Sequence, residues 1–221
     1  LGNRTAISWA IGNIGAVYYS LGEYARALEY YDRQLSIAAE LGNDHDIAAA
    51  TGNKGLVYIN LGEYDRAMAC LVQQLTIAEA RGDRSTISMA NGNMGIVHDH
   101  RGEYRRAVEC YERQLSIADA LGDRKGVALA HSNMGVLYSS RGDFERALKH
   151  LQKGVDISEE LGDRGAAAAA NLTMGIVYSA LGEYDRAIEC YERKLSESNE
   201  SGDRGGAYLA IGNMGSAYQV L

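Results

Sequence analysis

The chain has 221 residues, 46% of them hydrophobic and 23% charged, which fits a globular protein and excludes disordered and collagen-like classes. Its 29 acidic residues outnumber 22 basic ones, for a formal charge of −7, so a phosphate-neutralising surface and a nucleic-acid partner are not expected. No apolar run approaches the roughly 20 residues of a membrane helix, and no signal peptide is visible, so no membrane partner is expected.

Glycine recurs every 40 residues in two series, at 22, 62, 102, 142 and 182 and at 2, 42, 82, 122, 162 and 202. Read in chain order, the first unit predicts a helix from about Arg4 to Ser20, closed by Gly22 in a left-handed conformation. A second helix follows from about Glu23 to Glu40 and is closed by Gly42. Asn43 then stands as the N-cap of the next helix, and Asp83, Asp123, Asp163 and Asp203 hold the same place in later units. The units run over 3–42, 43–82, 83–122, 123–162 and 163–202, with a last half-unit at 203–221. The expectation is a single array of eleven helices and no strands. Proline is absent, where average usage would give roughly 11, so nothing interrupts helix.

Within each unit, Leu28, Tyr31, Leu35 and Ala38 recur three or four residues apart, as one buried stripe requires. Short connections make neighbouring helices antiparallel. One such pair cannot bury its apolar face alone, so pairs must stack into a one-dimensional solenoid. Gly15 and its five copies sit inside the first helix, where glycine costs roughly 1 kcal/mol relative to alanine. The expected offset is close approach, with Gly15 leaving room for the methyl of Ala27, a row that is alanine in every unit.

Ile14-Gly15, Tyr18, Gly22, Tyr24, Ala27 and Tyr31 resemble the tetratricopeptide repeat signature, and the resemblance covers the whole chain. The unit departs from that family's pattern in being 40 residues long and in lacking the usual proline. The Leu-Gly-Asp-Arg junction is similar to the repeats of GoLoco-type spindle-orientation adaptors. The Gly12-Asn13-Ile14-Gly15 row is closer to kinesin light chains and bacterial signalling proteins. The resemblance implies an all-α, right-handed superhelix whose first helices line a concave groove that holds an extended peptide.

Asn13, Asn53, Asn93, Asn133 and Asn213 form a row broken only by Thr173. Asparagine is a poor residue inside a helix, and its amide both donates and accepts hydrogen bonds. Two readings stand. A ladder of amides can pair with the backbone of an extended peptide, the role that the resemblance to kinesin light chains implies. Alternatively, each amide bonds the neighbouring repeat and staples the solenoid. Rows that vary on the same inferred face, including Trp9, Tyr19, Asp99 and His100, are candidates for recognising peptide side chains. Trp9 alternatively packs against a preceding repeat.

Other rows invite plainer readings. In His98-Asp99-His100 the two histidines point to different faces, so no metal is expected there; His131 and His45 have no evident partner in the pattern. Arg26 and its copies follow an acid by three residues and read as helix-surface ion pairs on a solvated face. Arg84, Arg124, Arg164 and Arg204, with Arg4, begin helices, where the macrodipole disfavours a cation, so an ion pair between repeats or a rim for acidic peptides is expected. Lys54, in an apolar row, either snorkels to solvent or faces a ligand carboxylate. Cys70, Cys110 and Cys190 occupy one row, not a disulfide framework, and fit a reducing compartment. No phosphate loop, nucleophile elbow or zinc spacing is present, and no cofactor is expected.

The expectation is therefore a non-catalytic, cytoplasmic scaffold for a protein or peptide partner. A rival expectation comes from Leu1-Gly2, which matches the interior Leu41-Gly42, and from an ending at Leu221. These read as a segment of a longer array in a signalling protein, with end faces able to stack head to tail.

Overall fold

The computed structural model describes residues 2–220. Among them are eleven helices and no strands: α1 (Gly2–Ser20), α2 (Tyr24–Leu41), α3 (Asp44–Asn60), α4 (Tyr64–Arg81), α5 (Arg84–His100), α6 (Tyr104–Leu121), α7 (Arg124–Ser140), α8 (Phe144–Glu160), α9 (Arg164–Ala180), α10 (Tyr184–Ser201) and α11 (Arg204–Tyr218). Leu1 and Leu221, which enter the expectation of a cut array, lie outside the described residues. The chain divides into two compact units, Leu1–Ile117 and Ala118–Leu221. Each is a solenoid of leading (odd-numbered) and trailing (even-numbered) helices. No described helix is long and apolar enough to cross a membrane.

The helix ends follow from local chemistry. Gly42 takes φ 63°, a conformation that a Cβ would oppose, and lets the chain turn back on α2. Its N–H donates to the Ala39 carbonyl at 3.1 Å and that of Asn43 donates to the Ala38 carbonyl at 2.9 Å, satisfying two orphan carbonyls. Asn43 then caps α3 by accepting from the Asp46 N–H at 3.2 Å. Asp83, Asp123, Asp163 and Asp203 cap the later leading helices in the same way. Hydrogen bonds from helix N–H groups hold the carboxyls of Asp83, Asp163 and Asp203 below the usual range.

The core is built across repeats, which is why a pair cannot stand alone. Ala27 and Tyr31 of α2 meet Val57 of α3, with Tyr18, Tyr19, Tyr24 and Leu28 packed around them. Ala67 and Leu71 of α4 meet Val97 of α5 in the same way. Polar contacts also cross the junctions, the first of them buried. The Ser8 hydroxyl donates to Asp46 at 2.9 Å, and the Asn60 amide donates to the Tyr19 hydroxyl at 2.8 Å.

Two expectations need correction. The bare patch of each leading helix does not receive Ala27. A Cβ at Gly15 would lie 2.7 Å from Cε1 and 2.9 Å from Cδ1 of Tyr31, and Gly95 and Gly175 face Tyr111 and Tyr191 in the same way. Ala27 is fully buried, but the flat ring one turn further along α2 needs the missing side chain. Second, three of the arginines that begin leading helices pair within a repeat, not between repeats: Arg4 with Glu40 at 2.7 Å, Arg164 with Glu200 at 2.5 Å, and Arg124 with Glu160. Each partner sits at the wrong end of its own helix dipole, and antiparallel pairing brings the two together. The Arg26 row forms the expected helix-surface ion pairs on an exposed face. Arg26, Arg66, Arg106, Arg146 and Arg186 pair with the acid three residues back. In addition, the guanidinium of Arg26 lies 5.3 Å from the Tyr18 ring centroid and that of Arg186 lies 4.1 Å from Tyr178.

Candidate functional site

The leading helices touch one another, α1 with α3 and α3 with α5 in the first unit, α7 with α9 and α9 with α11 in the second. The asparagine row lies along them. Asn53, Asn93, Asn133 and Asn213 are half-buried and Asn13 is exposed. Among the described residues, none of these five amides has a hydrogen-bond partner in the protein. Two other asparagines make the contrast. Asn91 donates to the Ile87 carbonyl at 2.7 Å, and Asn171 donates to the Ala167 carbonyl at 3.0 Å, each within its own helix. The stapling reading requires bonds from the row to a neighbouring repeat, and those bonds are not made. Thr173, which interrupts the row, donates to the Ala169 carbonyl at 3.4 Å.

Two cavities open between consecutive leading helices and include members of the row. Between α3 and α5, a cavity of about 170 Å³ is lined by Asn53 and Asn93, by Ala49 and Met89 of the variable row, and by His45, Gly52, Leu56, Gln74 and Thr86. Between α7 and α9, a cavity of about 320 Å³ holds Asn133 and Thr173 with Ala128, Leu129, Val136, Leu151, Leu161 and Ala169. It is mainly apolar. Its two charged lining residues, Lys125 and Asp163, form an ion pair at 3.4 Å.

The other candidates are placed less uniformly. Trp9 on α1 is 67% exposed. Tyr19 is half-buried, tilted against Tyr24, and its hydroxyl is already engaged by Asn60. His100 stacks on Tyr64 with ring centroids 5.1 Å apart, and His98 Nδ1 lies 2.7 Å from Glu103. Asp99 is half-buried and its charge contributes to raising the Tyr111 hydroxyl, after the larger effect of burial. Tyr19, Asp99 and His100 thus sit near the repeat turns and line neither cavity. Lys54 follows neither of its expected readings: its ammonium donates to Asp32 at 2.5 Å. Burial works against that charge, but the bond and charge of Asp32 outweigh it and raise the Lys54 pKa.

Two features escaped the residue pattern. His131, which has no evident partner in the repeat, meets His150 with their Nδ1 atoms 2.9 Å apart. Burial pushes His131 down to about 4, with the charges of His150 and Lys153 adding to the effect. The second is a row of buried glutamines. Gln34, Gln74 and Gln114 lie over Gly12, Gly52 and Gly92, and their Oε1 atoms are buried without a partner. The recurrence of Gln 22 residues after Gly was the available signal.

The profile of the tetratricopeptide repeat family matches residues 5–80, 85–160 and 126–196. No curated protein matches the chain. Among solved structures, the chain is similar to BtubC from P. vanneervenii, with 22% identity, a TM-score of 0.72, and coverage of 86% of this chain and 79% of that one. It is also similar to a Rap protein in complex with Competence and Sporulation Factor, at 17% identity and TM-score 0.81 over 96% of this chain and 64% of that one. NprR in complex with its cognate peptide NprX matches at 18% identity and TM-score 0.76, over 91% and 58%. Likeness at these identities is a likeness of fold.

Proposed function

Because this chain belongs to the tetratricopeptide repeat family, we propose that it is a non-catalytic scaffold that holds an extended peptide segment of a partner protein against its leading helices. The observation that carries this reading is the set of five amides, Asn13, Asn53, Asn93, Asn133 and Asn213, repeated on leading helices with no partner in the protein. An extended peptide presents backbone N–H and C=O groups that such amides can pair with. Two of the structures with a similar fold, the Rap protein and NprR, are complexes with a peptide or factor, which adds support.

The energetics set a limit. At about 1 kcal/mol net per hydrogen bond, the three amides of the first unit supply roughly 3 kcal/mol and the two of the second roughly 2 kcal/mol, each too little alone for micromolar binding. Side-chain contacts must supply the rest, with Trp9 one exposed anchor. Replacing Asn53 and Asn93 together by alanine is expected to weaken a peptide selected on the wild-type chain by about tenfold or more. Helix content should be unchanged, since neither amide bonds the protein. Fluorescence-anisotropy titration with circular dichroism checks both, and undiminished affinity sinks the role of the row.

A second reading has its own observation. A Cβ at Gly212 or Gly215 of α11 would meet nothing within 4 Å, although the same rows elsewhere receive a glutamine and a tyrosine or leucine. Tyr208 is 78% exposed, and Leu209, Ile211 and Tyr218 are also open. Such a face suits a helix of the trailing type, and in the isolated chain a second copy can cover it. Mass by multi-angle light scattering is expected to rise with concentration, and to do so less in Ile211→Lys. A constant monomer mass rejects self-association.

A further inference from the structure

The two cavities occupy the same place in the repeat yet differ in their floors. In repeats one to three, the position on the trailing helix holds Gln34, Gln74 or Gln114, and the facing position on the leading helix is Gly12, Gly52 or Gly92. In repeat four the pair is reversed in size: Gly154 faces Ser132, with a Cβ at 154 only 2.7 Å from the serine hydroxyl. Gln74 lines the smaller cavity of about 170 Å³. Where the glutamine is replaced by Gly154, which lies against the lining residue Ser132, the cavity is about 320 Å³.

We propose that the cavity between α7 and α9 is a specificity pocket for one bulky, uncharged apolar side chain of the bound peptide. This rests on the peptide reading above. Its volume lies at the lower end of the roughly 300–1,000 Å³ range of ligand pockets. Its walls, Leu129, Val136, Leu151, Leu161 and Ala169, offer apolar surface, and burying a large apolar side chain there is favourable. Lys125 and Asp163 at the lining already neutralise each other, so a charged side chain gains no free counter-charge while losing its hydration. Asn133 and Thr173 lie in the same lining, so a backbone held by the Asn133 amide delivers its side chain into the cavity. The cavity between α3 and α5 has a polar floor, Gln74 being only 5% exposed, and does not share this preference.

The test transplants a pair that the chain already uses. The variant S132G/G154Q recreates the Gly52/Gln74 arrangement in repeat four and fills the pocket floor. A second variant, Ala169→Leu, narrows the mouth at an exposed position where repeats four and six carry Leu129 and Leu209. A random-peptide display library is selected on the full wild-type chain. The consensus is expected to hold one Leu, Ile, Met, Phe or Trp whose replacement by Ala weakens binding about tenfold. In either folded variant, checked by circular dichroism, that discrimination is expected to collapse to less than about twofold. A consensus with no bulky apolar position, or discrimination that survives in both variants, overturns the pocket and leaves the peptide reading standing. A wild-type chain that enriches no peptide overturns both.

Discussion

Lowering the pH from about 7.5 to about 4.5 is expected to cost the wild-type fold roughly 3 kcal/mol more than it costs the variant H131N/H150C. His131 is 7% exposed and shares a Nδ1···Nδ1 hydrogen bond with His150, a contact in which one ring donates and the other accepts. A second proton destroys it. The groups around the pair oppose protonation as well. His131 faces His150 and Lys153; His150 faces Lys153, Lys149 and Arg146, with the Tyr138 ring 5.4 Å away. Burial is the first cause of the lowered pKa at both rings, to about 4 at His131. The sign follows directly. Above about pH 6.5 the rings are neutral in folded and unfolded chains, so the pair costs nothing. As the pH falls towards 4 the unfolded chain takes up protons that the folded pair refuses, and stability is lost through that window. The variant carries the side chains found as Asn91 with Cys110 and Asn171 with Cys190, so it suits the packing. Urea unfolding at the two pH values reads the difference, and equal pH dependence in the two proteins refutes the assignment.

One glycine row should answer the same substitution with opposite signs. Gly175→Ala is expected to destabilise the protein by about 1–3 kcal/mol. The new methyl would lie 2.7 Å from Cδ1 and 2.9 Å from Cζ of Tyr191, closer still to Cε1. That ring cannot retreat easily, because it is 2% exposed and its hydroxyl is tied to Ser179 at 3.1 Å. Overpacking then exceeds the roughly 1 kcal/mol that alanine returns in helix propensity. Gly215→Ala meets nothing within 4 Å and is expected to raise the local stability of α11 by roughly 0.5–1 kcal/mol. Chemical denaturation measures the first change and amide exchange in α11 the second. Changes of the same sign would mean that close approach to the tyrosine is not what keeps the row bare.

The candidate site was partly legible. The asparagine row and the variable row of Ala49, Met89, Leu129 and Ala169 stand out from the 40-residue rhythm, and the structure gathers parts of both around two cavities. The exchange of Gly52/Gln74 for Ser132/Gly154 was visible in the same alignment. Its meaning depended on knowing that the two positions touch. Tyr19 and His100 share the face by counting, yet their rings are held by Asn60, Tyr24 and Tyr64 near the turns.

By itself the sequence determined what depends on a few neighbouring residues: the helix ends, the left-handed Gly42, the Asn43 and Asp163 caps, and the i,i+3 pair of Glu23 with Arg26. Each is decided by backbone sterics and hydrogen bonds within about one helical turn, so spacing carries the information. Tertiary structure alone decided that Gly15 faces Tyr31 and not Ala27, that Lys54 reaches Asp32, that Arg4 pairs with Glu40, and that His131 finds His150. Those choices turn on helix rotation and on the reach of long side chains, where an offset of one residue, about 100° around the helix, changes the partner.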